Sequence, residues 1–324
     1  MYNKGYYSRK GATDMEIYEY TPGKSVGIGP SVIALGFFDG VHLGHRSLLN
    51  TAKTAAEKRG LTFAVFTFPA EDGFKGGAIY STKEKLTLFE SLGVEAVIMT
   101  RFNSVSAISA EDFVLHSLIE DMSCRVAVAG YDYRFGKGAS GNAAVLSEIL
   151  SLRGRECIVE DEHKINGEKI STTKIKELLS MGNVSEACKF LGAPYRICST
   201  VEHGNGVGAS LGFPTVNTEI PPQSFFLKRG VYRTVAEIRG VRYNSVTNVG
   251  TCPTFQERQL HAETYITDYS GNLYGEQIRI FFLGYLREEK AFSSEKELIM
   301  QINVDKNRAI KENGDLKWQE IGLS

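Results

Sequence analysis

A parallel α/β domain followed by an all-β domain with a helix at its end is the architecture this sequence predicts. Two rhythms carry that reading. From about residue 26 to 190, short apolar runs alternate with stretches of helical pattern; after Pro194, extended stretches follow one another without a long helix until close to the C-terminus. Length is the third observation, since 324 residues suffice for two separate cores.

Taken in order, the first fourteen residues, MYNKGYYSRKGATD, are polar and aromatic and lack the apolar centre of a signal peptide. They are expected to form a tail outside the fold. The strands expected next are SVIALG (31–36), LTFAVFTF (61–68), EAVIMT (95–100), RVAVAG (125–130) and ECIVE (156–160). Helical stretches separate them. RSLLNTAKTAAEKRG follows the first strand, Ser81 and Glu84 make a capping box ahead of KLTLFESLG, Gly93 closes that helix, and Ser109 can cap EDFVLHSLIEDM. Strands alternating with helices of this length predict a parallel sheet covered on both faces. Ligands of such sheets bind outside the carboxyl ends of the strands.

YRICSTVEH, GVYRTVAEIRG, VRYNSVTNVG, HAETYITDY and EQIRIFFLGYL then succeed one another, with Ser270-Gly271-Asn272 among the turns. They predict an antiparallel barrel or sandwich. The final helix, SSEKELIMQINVDKNRAIKE, has Ser294 and Glu297 as its cap. The expected domains are 15–185 and 186–324.

Composition excludes several function classes. Lys plus Arg is 37 and Asp plus Glu is 38, so no excess of positive charge recommends a nucleic-acid backbone as partner. No apolar run reaches the length of a membrane span. Cys124, Cys157, Cys188, Cys198 and Cys252 are scattered, with neither zinc-ligand spacing nor a disulfide framework. A reducing, cytoplasmic setting is expected.

The chemistry begins at GFFDGVHLGH, residues 36–45. A turn from a parallel strand into a helix offers free backbone N–H groups and the positive end of the helix dipole, which favour a phosphate. Gly36, Gly40 and Gly44 let backbone approach such a ligand, with Phe38 and Asp39 between them. His42 and His45, three apart, can point at one spot and stabilise charge developing on phosphoryl oxygens. A glycine-rich turn with two surface histidines is the plainer alternative.

In the second half, Gly204, Gly206, Gly208 and Gly212 lie in GNGVGASLGFPTVN. They read either as a flap over a nucleotide phosphate or as a hairpin loop. Pro214 stiffens the segment that follows, and an extended chain aims Thr215 and Asn217 at one face. A hydroxyl and an amide carbonyl are oxygen donors suited to Mg²⁺. Glu263, inside a strand-like stretch, is either a solvated outward carboxylate or one kept inward because something uses it.

These segments together resemble the bacterial bifunctional riboflavin kinase/FAD synthetase family. GFFDGVHLGH resembles the His-x-Gly-His signature of the nucleotidyltransferase superfamily; STKEKLTLFESLGVEAVI, GYDYRFGKGASGN and ISTTKIKELLSMGNVSEACKFLGAPY resemble later motifs of that half. GASLGFPTVN, TNVGTCPTF and LYGEQIRIFFLGYLR resemble the kinase half. The resemblance implies a Rossmann-like nucleotidyltransferase domain and a β-barrel riboflavin kinase domain with a terminal helix. It implies ATP as co-substrate of both reactions, with riboflavin, FMN and FAD as substrates or products. His42 and His45 would lie against ATP phosphates, Asp132 near the flavin, Lys176 on phosphate, Thr215 and Asn217 on Mg²⁺, and Glu263 would be the base for the riboflavin hydroxyl. A monomer or weakly associating protein is expected.

Two departures concern the first half. The family has a Pro-His-Pro-like triplet after its second strand, whereas TFPAEDGFKGGAIYS holds no histidine. Lys176 stands where the family has arginine, keeping the charge but losing the planar fork. Slower adenylylation is expected, and the extreme forms are a monofunctional kinase or a flavin- or nucleotide-binding regulator. An aminoacyl-tRNA synthetase, the other owner of His-x-Gly-His, would need a lysine-rich second signature and a tRNA-binding domain, and neither is present.

Overall fold

A computed structural model describes residues 15–72, 77–203, 212–220, 227–251 and 260–314. The expected tail lies outside them, as do Gly204, Gly206, Gly208 and Cys252. By compactness the described residues divide into two units, one holding 15–72 and 81–170, the other 77–80 and 171–314.

The first unit is built on β1 (Glu16–Glu19), β2 (Ser31–Leu35), β3 (Thr62–Thr67), β4 (Ala96–Met99), β5 (Cys124–Gly130) and β8 (Glu156–Glu160). Short pairs β6 (Arg134–Phe135) with β7 (Gly141–Asn142), and β9 (Lys164–Ile165) with β10 (Glu168–Lys169), are hairpin-like additions. The main sheet has the order β1-β4-β3-β2-β5-β8 with parallel pairings throughout. β2 is buried along its whole length, as expected of a strand covered on both faces. The chain runs outward from β2 through β3 to β4 and then returns to β5 on the other side of β2. That reversal opens a crevice at the carboxyl ends of β2 and β5, where doubly wound sheets bind ligands.

Helix α1 (Leu43–Arg59) ends at Gly60, whose φ of 61° suits a left-handed C-cap. In α2 (Thr82–Ser91) the Ser81 hydroxyl accepts the Glu84 N–H, and Gly93 follows the helix with φ +80°. The Ser81 cap and the Gly93 stop therefore act as read. After the single turn α3 (Phe102–Val105), Ser109 likewise accepts the Asp112 N–H, but only α4 (Ala110–Asp112) is an α-turn; the next full α-helix is α5 (Ala143–Leu152). Phe113–Asp121 is wound as a wider π-helix, closed by the Met122 N–H on the Ser117 carbonyl. The widening accompanies burial of Phe113, Val114, Ser117, Leu118 and Asp121 on one side. The Asp121 carboxylate there accepts from the Tyr20 hydroxyl at 2.8 Å and the Gly23 N–H at 2.9 Å.

In the second unit, α6 (Thr172–Ser180) and α7 (Val184–Leu191) precede β11 (Tyr195–Glu202), β12 (Thr215–Glu219), β13 (Gly230–Ile238), β14 (Val241–Thr251), β15 (Leu260–Ile266) and β16 (Gln277–Arg287). These strands close into an antiparallel barrel in the order β11-β12-β15-β14-β13-β16, so of the two expected forms the barrel is the one present. Arg239 (φ 50°) and Gly240 (φ 82°) supply the two left-handed residues of a tight hairpin between β13 and β14. Inside, Thr234 shares hydrogen bonds with Ser245 at 2.8 Å and Thr247 at 2.9 Å, and Thr247 with Thr264 at 2.9 Å. The terminal helix (Glu295–Gly314) docks by polar anchors: Asp305 takes a fork of Arg287 N–H bonds, and the Asn313 amide reaches the Thr234 carbonyl at 3.0 Å.

The second unit begins earlier than the expected 185/186 divide, because α6 packs with it. Ile175, Leu178 and Leu179 are buried, and the Lys228 N–H donates to the Leu179 carbonyl at 3.2 Å. A fragment of residues 171–324 is therefore expected to melt cooperatively and at a higher temperature than one of 182–324. The latter loses three buried apolar side chains, each contributing roughly 1.5–3 kcal/mol. Calorimetry of the two fragments checks this, and equal melting temperatures would detach α6 from the unit.

Candidate functional site

Two places gather the chemistry-bearing side chains, one in each unit. In the first, the chain leaves β2 at Gly36, where an added Cβ would stand 3.0 Å from the Phe38 ring. Phe38 is buried and takes a left-handed φ of 55°, followed by a single tight turn over Asp39–Val41 with Gly40 at φ 78°. This folded-back path brings the chain to His42, the N-cap of α1. Its Nδ1 accepts the backbone N–H of His45 at 3.2 Å, so the ring proton of the neutral imidazole sits on Nε2. The two imidazoles stack with centroids 3.6 Å apart, and His45 also meets the edge of Phe38. Gly44 lies beneath the stack, where an added Cβ would be 3.4 Å from the His42 ring. Gly36, Phe38, Asp39, Gly40, His42, Gly44 and His45 are thus one loop wrapped on the start of one helix.

Burial pushes the His42 imidazole down to about 4, and drives His45 well below its ordinary value, aided by His42 and Lys85. Both rings are neutral at pH 7. On the surface, hydrogen bonding to Glu120 raises His116 instead. Imidazole NMR of the free protein is accordingly expected to show His116 titrating above pH 6.5 while His42 stays neutral down to about pH 4. A His42 midpoint near 6.5 would mean that the cradle is open to water.

Across the crevice, Asp132 follows β5 and its carboxylate accepts from Lys169 of β10 at 2.8 Å. Lys169 also lies over the Tyr131 ring, and its pKa is raised chiefly by Asp132. At the end of β8, Glu160 accepts from Ser47 at 2.6 Å and Thr51 at 3.0 Å, and His163 approaches it at 3.0 Å. Lys169 and His163 were not among the residues singled out from sequence; hairpin β9–β10 carries one beside the crevice, and the other abuts Gly44. Lys176 lies on α6 in the second unit, where it donates to the Gly77 carbonyl. No histidine takes the place after β3; a short turn over Ala70–Asp72 stands there.

In the barrel unit, Gly212 (φ 83°) and Pro214 lead into β12. Register sets Asn217 directly opposite Glu263 of β15, and Glu263 directly opposite Asn248 of β14. Opposed residues share a face, so the three form a row. Thr215, two residues earlier, donates its hydroxyl to Glu263 Oε1 at 2.8 Å. Leu260, Ala262, Thr264 and Ile266 are buried, whereas His261, Glu263 and Tyr265 alternate with them on the half-buried face. Glu263 therefore points away from the barrel interior, into the row of polar side chains. Asn248, which sequence reasoning passed over, donates to Glu289 at 3.2 Å and keeps a buried Oδ1 without a partner among the described residues. A Thr hydroxyl and an Asn amide beside one carboxylate fit a cation that is also held by substrate phosphates. No cluster of three His, Cys, Asp or Glu side chains suited to a metal occurs among the described residues.

Comparison with known proteins adds the following. The riboflavin kinase family model matches residues 191–312, and the FAD synthetase family model matches residues 27–174. The bifunctional riboflavin kinase/FMN adenylyltransferase of Bacillus subtilis (strain 168) is 35% identical over 297 residues, covering 89% of this chain and 94% of its own. That of Escherichia coli (strain K12) is 31% identical, covering 85% and 90%. A crystal structure described as a macrolide-efflux protein from Streptococcus pneumoniae superposes with a TM-score of 0.81 at 29% identity, covering 90% of this chain and 98% of that one. Among the described residues no helix is long and apolar enough to cross a membrane.

Proposed function

The chain belongs to the bifunctional riboflavin kinase/FMN adenylyltransferase family, and from that membership we propose how its residues divide the two reactions. It phosphorylates riboflavin to FMN and adenylylates FMN to FAD, with ATP as co-substrate of both. We assign the kinase reaction to the barrel unit and adenylylation to the parallel-sheet unit. Soluble flavins and ATP as substrates fit a cytoplasmic enzyme that acts as a monomer or a weakly associated one.

The observation that carries the kinase assignment is the hydrogen bond from Thr215 to Glu263 within the row Asn217–Glu263–Asn248. By donating its proton to Glu263, Thr215 fixes the carboxylate and leaves its own lone pairs for a cation. Thr215 and Asn217 would hold Mg²⁺, which when bound neutralises charge on the ATP phosphates. Glu263 orients the riboflavin 5′-hydroxyl and accepts its proton as that oxygen bonds to the γ-phosphorus. The bond from the γ-phosphorus to the bridging oxygen breaks and ADP leaves. Gly212 and Pro214 shape the approach to this row.

For adenylylation, the triphosphate lies on the N-terminus of α1, with loop N–H groups and the neutral His42 and His45 as donors. A phosphate oxygen of FMN attacks the α-phosphorus and pyrophosphate leaves. Asp132, paired with Lys169, faces the flavin side of the crevice.

Incubating the purified full chain with riboflavin, ATP and Mg²⁺ and following products by chromatography tests the reading. FMN should appear first and FAD more slowly; absence of FMN overturns the kinase assignment. Lys176→Arg is expected to raise the rate of FAD formation from supplied FMN several-fold, because a planar fork grips phosphate oxygens in pairs. An unchanged rate would remove Lys176 from the phosphate contacts.

A further inference from the structure

A buried lysine stands behind the phosphate loop, and neither the motifs nor the resemblance gave it a task. Lys85, in the first turns of α2, is 1% exposed. Its Nζ donates to the Phe37 carbonyl at 3.1 Å, the Thr67 hydroxyl at 3.2 Å and the Phe68 carbonyl at 2.5 Å, and lies 4.8 Å from the Phe37 ring centre. Those bonds satisfy its three donors, and every acceptor is uncharged. Phe37 belongs to the loop after β2, and Thr67 and Phe68 to the end of β3. The ammonium thus ties together the carboxyl ends of two neighbouring strands, directly behind the histidine loop.

Burying a charge is costly unless something uses it. Packing alone would be served by a methionine of similar length. A triphosphate, however, has to be attracted by positive charge, and both histidines are neutral. The other cations near the loop are already engaged, Arg46 of α1 with the Val41 carbonyl at 3.1 Å and Lys169 with Asp132, and the backbone adds N–H dipoles. Lys85 touches the loop itself through the Phe37 carbonyl and helps hold the His45 pKa down. In a water-poor interior the field of its ammonium is weakly screened.

We propose that Lys85 is a positioning residue for adenylyl transfer: its buried ammonium fixes the carbonyls behind the phosphate loop and adds a full positive charge that helps draw the triphosphate onto it. The proposal rests on the adenylyltransferase reading given above. The groups acting on Lys85 are Asp39 of the loop, Glu71 and Asp72 of the turn after β3, and His45 of α1. Burial, only partly offset by those carboxylates, lowers Lys85 to about 8. The charge is therefore present below that pH and is lost as pH rises through it.

The test is the pH profile of kcat/KM for ATP in FAD formation from FMN, measured on the full chain and on Lys85→Met and Lys85→Gln. Wild type should decline above about pH 8, where the substrate phosphates are already fully ionised and where burial raises Cys124, Cys157 and Tyr133 above their ordinary values. Both variants should be lower at neutral pH by roughly tenfold to a thousandfold, the span of one nearby opposite charge. They should also lose the alkaline decline, while riboflavin phosphorylation in the same preparation stays unchanged. Variants that are slow at every pH but keep the decline would make Lys85 a structural tie only. A wild-type profile flat from pH 7 to about 9.5 overturns the proposal even if neither variant folds. A wild type that forms FMN but no FAD overturns the adenylyltransferase reading itself, and this proposal with it.

Discussion

Replacing Glu263 by glutamine is expected to slow riboflavin phosphorylation by about two to four orders of magnitude, the usual contribution of a general base. Glutamine keeps the length of the side chain and can still accept the Thr215 hydroxyl bond that now runs to Glu263 Oε1. It cannot take the proton of the attacking hydroxyl. The loss should fall on kcat more than on KM for riboflavin, because the proton moves only as the new bond forms. FAD formation from supplied FMN should be untouched in the same preparation, since His42 and His45 lie in the other unit. Near-normal FMN production by Glu263→Gln would remove the carboxylate from the mechanism and leave Thr215 and Asn217 as a positioning pair alone.

The second large effect is expected from His45→Ala, which should reduce FAD formation by at least about a hundredfold, the scale for losing one donor aimed at transition-state charge. His45 is the cleaner of the two histidines to replace. The bond that caps α1 runs from the His45 backbone N–H to the His42 ring, so alanine at position 45 keeps it. Alanine at position 42 would remove that cap, costing about 1 kcal/mol of stability, and would mix a folding effect with a catalytic one. His45→Ala also takes away the ring stacked on His42, so the remaining imidazole gains freedom and part of the loss is one of orientation. Riboflavin phosphorylation is the internal control. If FAD forms at the wild-type rate in this variant, the histidines are scaffolding for the loop, and the triphosphate is held elsewhere.

Much of this was legible in the residues themselves. The alternation of fully apolar runs with capped helices was enough to give a parallel sheet, because a strand covered on both faces has no polar face to show. Ser81, Ser109 and Ser294 mark helix starts because a hydroxyl in that position meets an orphan N–H within three residues. Such signals act over a few residues of chain, and sequence displays them directly. The same holds for Gly36, whose missing side chain leaves room for the Phe38 ring, and for Gly40, whose φ of 78° turns the loop back.

What sequence could not display depended on pairing across long separations. β1 is four residues long and partly exposed, and it is a strand only because its backbone finds the edge of β4. Glu263 could have faced either way from its alternating pattern; the register of β12, β15 and β14 turned it outward and set Asn217 and Asn248 on either side of it. Nothing in the stretch KEKL separates Lys85 from a solvated lysine of a helix surface. Lys85 became a buried cation because the fold carried α2 over the ends of β2 and β3 and left three acceptors within its reach. A side chain's type and its local helix or strand are properties of the sequence, whereas the acceptors it meets, and hence whether its charge is solvated or put to use, belong to the tertiary fold.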